Sequence, residues 1–102
     1  MAKETWTQLK KRLIDERGSE CERCEGEATD LHHALIGRMK GKPELNVEEN
    51  AELLCKKCHA NVGGYTERCE FWKIQCERYG LDWMIAWYDG LDLKIKEILD
   101  VD

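Results

Sequence analysis

The sequence predicts a small α+β fold, with two short strands and a helix at its centre and further helices on either side. Three observations carry this expectation. Two Cys-x-x-Cys pairs, Cys21/Cys24 and Cys55/Cys58, have the spacing of a metal staple. The residues between and just after them read as strand, loop, strand and helix. The first and last thirds of the chain place apolar residues at helical intervals instead.

At 102 residues the chain has the length of one domain. The expected division is an N-terminal helix at 5–18, a metal knuckle and core at 19–62, and a C-terminal helical extension at 64–102. A domain this size buries only about 60–65% of its unfolded surface, so its core is thin and a staple is useful. Six cysteines are many for this length. No apolar signal segment follows Met1, because Ala2-Lys3-Glu4-Thr5 leads straight into a charged helical pattern. Nothing approaches a membrane span. The thiols are therefore expected in a reducing cytoplasm, as metal ligands and not as disulfides.

Thr5-Trp6-Thr7-Gln8 has the form of a capping box, with Thr5 as N-cap and Gln8 at the third helical position. Trp6, Leu9 and Leu13 then recur at helical spacing, and Gly18 fits the position that ends the helix. Residues 30–36 form a mixed run consistent with a strand. Gly37, Gly41 and Pro43 mark a loop to Glu44, and 49–54 form a second short strand. A helix is expected to start near Cys58, with Gly63-Gly64 interrupting it or ending it early. Another runs from about Thr66 to Tyr79, with an apolar stripe of Tyr65, Cys69, Trp72, Cys76 and Tyr79. Trp83, Trp87, Leu91, Ile95, Ile98 and Leu99 give one or two more amphipathic pieces, broken at Gly90.

Cys69 and Cys76 lie seven apart on one helix, about 10.5 Å along its axis at 1.5 Å per residue. A disulfide needs Cα atoms within roughly 7 Å, so these two cannot bridge in an intact helix. They are expected as small core hydrophobes, with a further metal role as the alternative.

The net charge of −5 disfavours broad phosphate contact, but it is uneven. Residues 1–79 are close to neutral, whereas 80–102 set Lys94 and Lys96 against six acids. A nucleic-acid surface must then be local. Arg38, Lys40 and Lys42 in the loop, with Lys56 and Lys57, are the candidates, and a merely solvated face is the alternative.

Thirty residues separate Cys24 from Cys55, which fits a hairpin projecting from a knot pinned at both ends. Four thiolates satisfy one tetrahedral Zn²⁺ completely. All three histidines, His32, His33 and His59, then lie near the knot with no structural zinc left to bind. Two alternatives stand beside a chemical role. The histidines can share two mixed sites with the cysteines, although His32 and His33 would point to opposite faces of a strand. Or the pair is simply exposed.

Cys21-x-x-Cys24, Leu31-His32-His33 and Asn50-Ala51-Glu52-Leu53-Leu54-Cys55-x-x-Cys58-His59 resemble the HNH endonuclease family, in its variant with a four-cysteine zinc knuckle. The resemblance covers residues 5–62. It implies a zinc-stapled ββα-metal (HNH/treble-clef-like) core with flanking N- and C-terminal helices. It also implies His33 as the general base, His32 and His59 as ligands of a catalytic divalent cation, and Asn50 as the residue that holds the loop between the strands and so orients His33. The chain departs from the family at Gly63, where many members carry a further histidine, and at Ile36-Gly37-Arg38, where a proline is usual.

The residue types suit phosphodiester hydrolysis. An imidazole with a pKa near 6.5 can take a proton from water at neutral pH. A cation with two protein ligands keeps open positions for phosphate and leaving oxygen. Mg²⁺ suits so sparse a site, and imidazoles also accept Mn²⁺, Ni²⁺ or a second Zn²⁺. The resulting expectation is a metal-dependent endonuclease acting on DNA, in a phage or restriction-type setting, with one structural Zn²⁺ and one catalytic cation. The alternative is a non-catalytic zinc-binding module for a protein or nucleic-acid partner. Trp83, Trp87 and Tyr88 either complete the core or form a surface for a homodimer or protein partner.

Overall fold

The computed structural model describes residues 4–37, 45–62 and 64–91. Arg38, Lys40 and Lys42 of the expected phosphate-binding loop, and the amphipathic run beyond Leu91, lie outside the described residues.

Helix α1 spans Trp6–Arg17 and starts as its sequence dictates. Gln8 N donates to Thr5 Oγ1 at 3.1 Å, and Thr5 N donates to Gln8 Oε1 at 2.9 Å, closing the capping box. The helix ends at Gly18, whose φ of +92° is one that residues with a Cβ rarely adopt. Its buried side is Leu9 and Leu13, flanked by Trp6 and Ile14.

Strands β1 (Asp30–His33) and β2 (Ala51–Leu54) form a two-stranded antiparallel sheet, with Leu31 opposite Leu53 and His32 opposite Glu52. Alternation along a strand then decides what meets what. Leu31, Ala51 and Leu53 turn toward α1 and join Leu9 and Leu13 in one apolar cluster. Asp30, His32, Glu52 and Leu54 take the other face. All four β2 residues are buried, so the sheet is covered on both sides. Both strands are shorter than their sequence signals, because 34–36 leave β1 for a second cluster and Glu48–Asn50 form a 3-10 turn. Short helix α2, Lys56–Ala60, follows β2, with Cys55 as its N-cap.

Helix α3 (Tyr65–Tyr79) and helix α4 (Leu81–Asp89) meet at Gly80, which has a φ of +96°. They enclose the second cluster, in which Phe71 and Met84 pack against Leu35, Ile36, Leu45 and Leu91. The stripe expected on α3 is not its buried side. Tyr65 is 62% exposed and Cys69 is exposed, so Cys69 is no core hydrophobe. Phe71 and Gln75 are the fully buried residues, while Trp72, Cys76 and Tyr79 only flank the core. Gln75 is inside because its Nε2 donates to the Glu48 and Glu49 carbonyls, at 2.9 and 3.2 Å. That demand is set by a segment 26 residues away and leaves no trace in local periodicity. On α4, Trp87 and Tyr88 pack on the core, whereas Trp83 is 55% exposed and donates from Nε1 to Glu49.

Arg17 ties the two clusters together. Its guanidinium donates to the Ala51 and Glu48 carbonyls, to Glu22 Oε2 and to the Tyr79 hydroxyl. The Arg17 and Glu22 side chains are 6% and 8% exposed, and Glu22 also accepts from Arg78 Nη2 and Leu53 N. Removing one partner of a buried pair strands the other charge and several carbonyls. Arg17→Ala is therefore expected to destabilise the fold by about 3–5 kcal/mol, measured by urea denaturation.

Candidate functional site

The first cysteine pair is held in a tight turn. Cys21 N donates to the Gly26 carbonyl and Glu25 N to the Cys21 carbonyl, with Glu25 at a φ of 65°. The second pair straddles the start of α2, where Cys58 N donates to Cys55 Sγ at 3.4 Å. The four Sγ atoms lie within 4.8 Å of one another, with Cys24 and Cys55 3.6 Å apart. Bonds of 2.3 Å to a tetrahedral Zn²⁺ imply sulfur–sulfur edges of roughly 3.8 Å, so the donor set fits that ion. A disulfide would need about 2.05 Å.

The thiols also show why a cation belongs there. Burial opposes ionisation of Cys21, but backbone N–H groups of Cys55, Cys24 and Arg23 outweigh it and bring its pKa to about 6. Cys58, hydrogen-bonded to Cys55, is pushed up to about 12. Four thiols this close cannot all shed their protons alone, and a bound divalent cation removes that conflict. The cluster can thus hold one structural zinc ion.

His32 and His59 meet on the β1 face that looks toward α2, with ring centroids 4.9 Å apart. His59 Nδ1 is 2.9 Å from Asp30 Oδ2. Asp30 is held below the usual carboxylate range, chiefly by that hydrogen bond, with Thr29 and Lys56 adding to it. Donation from His59 Nδ1 to Asp30 leaves the Nε2 lone pair of a neutral ring for a ligand. His32 is brought down to about 4 by burial, with His59 and His33 adding repulsion, so at neutral pH it is in its ligating form. Asp30 was not singled out from the sequence. Its signal was there in the alternation, since 30 and 32 share a face.

His33 is turned away from this pair. Its ring stacks on Trp6 at 3.7 Å and 6°, and its Nε2 is 2.9 Å from Asn46 Oδ1. An amide oxygen only accepts, so Nε2 is the donor in this contact. Trp6 also donates from Nε1 to the Leu31 carbonyl at 3.2 Å, anchoring the stack to β1.

Asn50 is fully buried and uses its whole amide. Oδ1 accepts from Leu35 N and Ile36 N, each at 2.9 Å, and Nδ2 donates to the Ile36 and Leu45 carbonyls. Its own carbonyl accepts from Ala34 N. One side chain therefore clamps both ends of the connection between the strands. Lys56 and Lys57 are exposed on α2, and Lys56 Nζ lies 3.7 Å from Asp30 Oδ1.

Comparison with protein-family models, with curated proteins and with solved structures finds no match. The geometry carries the argument alone. Among the described residues no helix is long and apolar enough to cross a membrane.

Glu52, opposite His32, is another residue the sequence did not flag. Burial raises its pKa to about 7, with Glu22, Cys21 and Glu70 adding to the rise and Arg23 opposing it. The native state then binds this proton more tightly than the unfolded chain between pH 4.5 and 7. Stability from this group falls as pH rises through that window, by on the order of 2–3 kcal/mol. Glu52→Gln is expected to remove this contribution, so its stability advantage over the parent chain should grow from pH 5 to pH 8 in paired melts.

Proposed function

We propose that this chain is a metal-dependent endonuclease of the HNH type that hydrolyses phosphodiester bonds of DNA. The observation that carries this reading is the apposition of His32 and His59, backed by Asp30 and set beside a four-cysteine knuckle. The two imidazoles could serve as ligands of a divalent cation such as Mg²⁺ or Mn²⁺, which when bound would stabilise charge on the phosphate and on the leaving oxygen. His32 and His59 would hold it, and Asp30 would fix the ring of His59.

His33 would take the proton from the attacking water. It lies on the other face of β1 from His32, at the strand's end, so the phosphate would have to sit at that end to be within reach of both. Trp6 and Asn46 would keep its ring oriented, and Asn50 would hold the backbone that presents it. Lys56 and Lys57 would contact DNA phosphates, together with Arg38, Lys40 and Lys42.

The test is plasmid nicking by the zinc-loaded chain in Mg²⁺, Mn²⁺ or Ni²⁺, with chelated protein as control. Cleavage that requires an added cation is expected. One bound zinc and no cleavage with any cation would leave the second reading, a non-catalytic zinc module. The exposed apolar side chains Tyr65, Leu81, Trp83 and Ile85 favour that second reading, since they suit a protein contact.

A further inference from the structure

A groove of about 450 Å³ runs between β2, the cysteine knuckle and α3, lined by Glu22, Arg23, Glu52, Glu70, Lys73, Ile74 and Glu77. Its volume falls in the range of roughly 300–1,000 Å³ typical of small-ligand sites. Four carboxylates face two cations across it. A zinc ion held by four thiolates would add further negative charge at its end.

Glu52 sets this groove apart from an ordinary acidic surface. It is only 4% exposed and lines the groove, and with no hydrogen bond or ion pair to its carboxylate among the described residues, the water contact it keeps is through the groove. Glu22 is fully engaged by Arg17, Arg78 and Leu53 N, and Arg23 leans toward Glu70 at 3.5 Å. A carboxylate so largely shielded from water is costly to ionise unless it meets a cation. Among the described residues the four cysteines are the one group of three or more such side chains close enough together to hold a metal ion, and the groove carboxylates form no such group. An anion is excluded by charge. Ile74 offers an apolar wall along which methylene groups can lie.

We propose that this groove binds an aliphatic guanidinium or ammonium group, its charged head on Glu52 and its stem along Ile74. An arginine or lysine side chain of a partner protein and a free polyamine share that chemistry. The site does not rest on the nuclease reading.

The test is NMR titration of the zinc-loaded full chain, labelled at glutamate carboxyl and isoleucine methyl carbons. Agmatine, spermidine and N-acetyl-arginine amide are the probes, each at matched ionic strength. Saturable shifts centred on Glu52 and Ile74 are expected, and Glu52→Gln should weaken them at least tenfold while its backbone spectrum stays native. Glu77→Ala, at the open rim, should weaken them less. Binding confined to N-acetyl-arginine amide identifies a protein-borne side chain, whereas binding of agmatine or spermidine identifies a free amine as sufficient. No saturable shift with any probe, or equal saturation in natively folded Glu52→Gln, overturns the proposal.

Discussion

Cys58→Ser is expected to unfold the domain, and chelation should do the same to the parent chain. Structural zinc contributes on the order of 10–16 kcal/mol in small domains, against a total stability of about 5–15 kcal/mol for an ordinary fold. The apolar interior here is divided into two modest clusters, one under α1 and one between α3 and α4. Neither is large enough to replace a lost ligand. Cys58 also lies within α2, the helix that carries His59, and its N–H donates to the Cys55 cap, so losing the metal there releases the second half of the histidine pair. Circular dichroism and melting with and without chelator provide the measurement. A Cys58→Ser protein with native helix content and a melting temperature indifferent to chelator would rule out the structural role of the metal.

If the chain is the nuclease proposed above, His33→Ala and His59→Ala are expected to fail in different ways. His33 lies on the Trp6 face, away from the His32–His59 pair, so its removal should leave zinc content and catalytic-cation binding intact. Cleavage should nonetheless fall by about 10²–10⁴-fold, the usual scale of general-base work. His59→Ala should weaken cation binding itself, seen by calorimetry, with the four-cysteine zinc still in place. Asp30→Ala should weaken that binding by about 10–100-fold, as expected for a group that orients a ligand. A His33→Ala protein that cleaves at the parent rate, or that loses its zinc, would remove His33 from the mechanism.

Some of this was legible because its causes are local. The capping box at Thr5 and Gln8, the stop at Gly18 and the two Cys-x-x-Cys turns each depend on backbone geometry within a few residues. Asn50 was flagged by resemblance, and its buried amide clamps Leu35 and Ile36 to Leu45. The helix at 65–79 was also legible, but its buried side was not. Tyr65 and Cys69 matched the helical period and face solvent, while polar Gln75 is inside to serve carbonyls of another segment.

By itself, the sequence determined a small α+β chain with a four-thiol frame, two short strands and three histidines beside them. Alternation already put His32 and His33 on opposite faces, and only the tertiary structure decided what each of them meets. The alternation of β1 sends His32 toward α2 and His33 onto Trp6, and the register sets Glu52 opposite His32. The pairs Asp30–His59, Arg17–Tyr79 and Trp6–His33 join residues 27 to 62 positions apart. Such pairs form because packed helices bring distant side chains within hydrogen-bond reach, and sequence periodicity carries no record of which elements will pack.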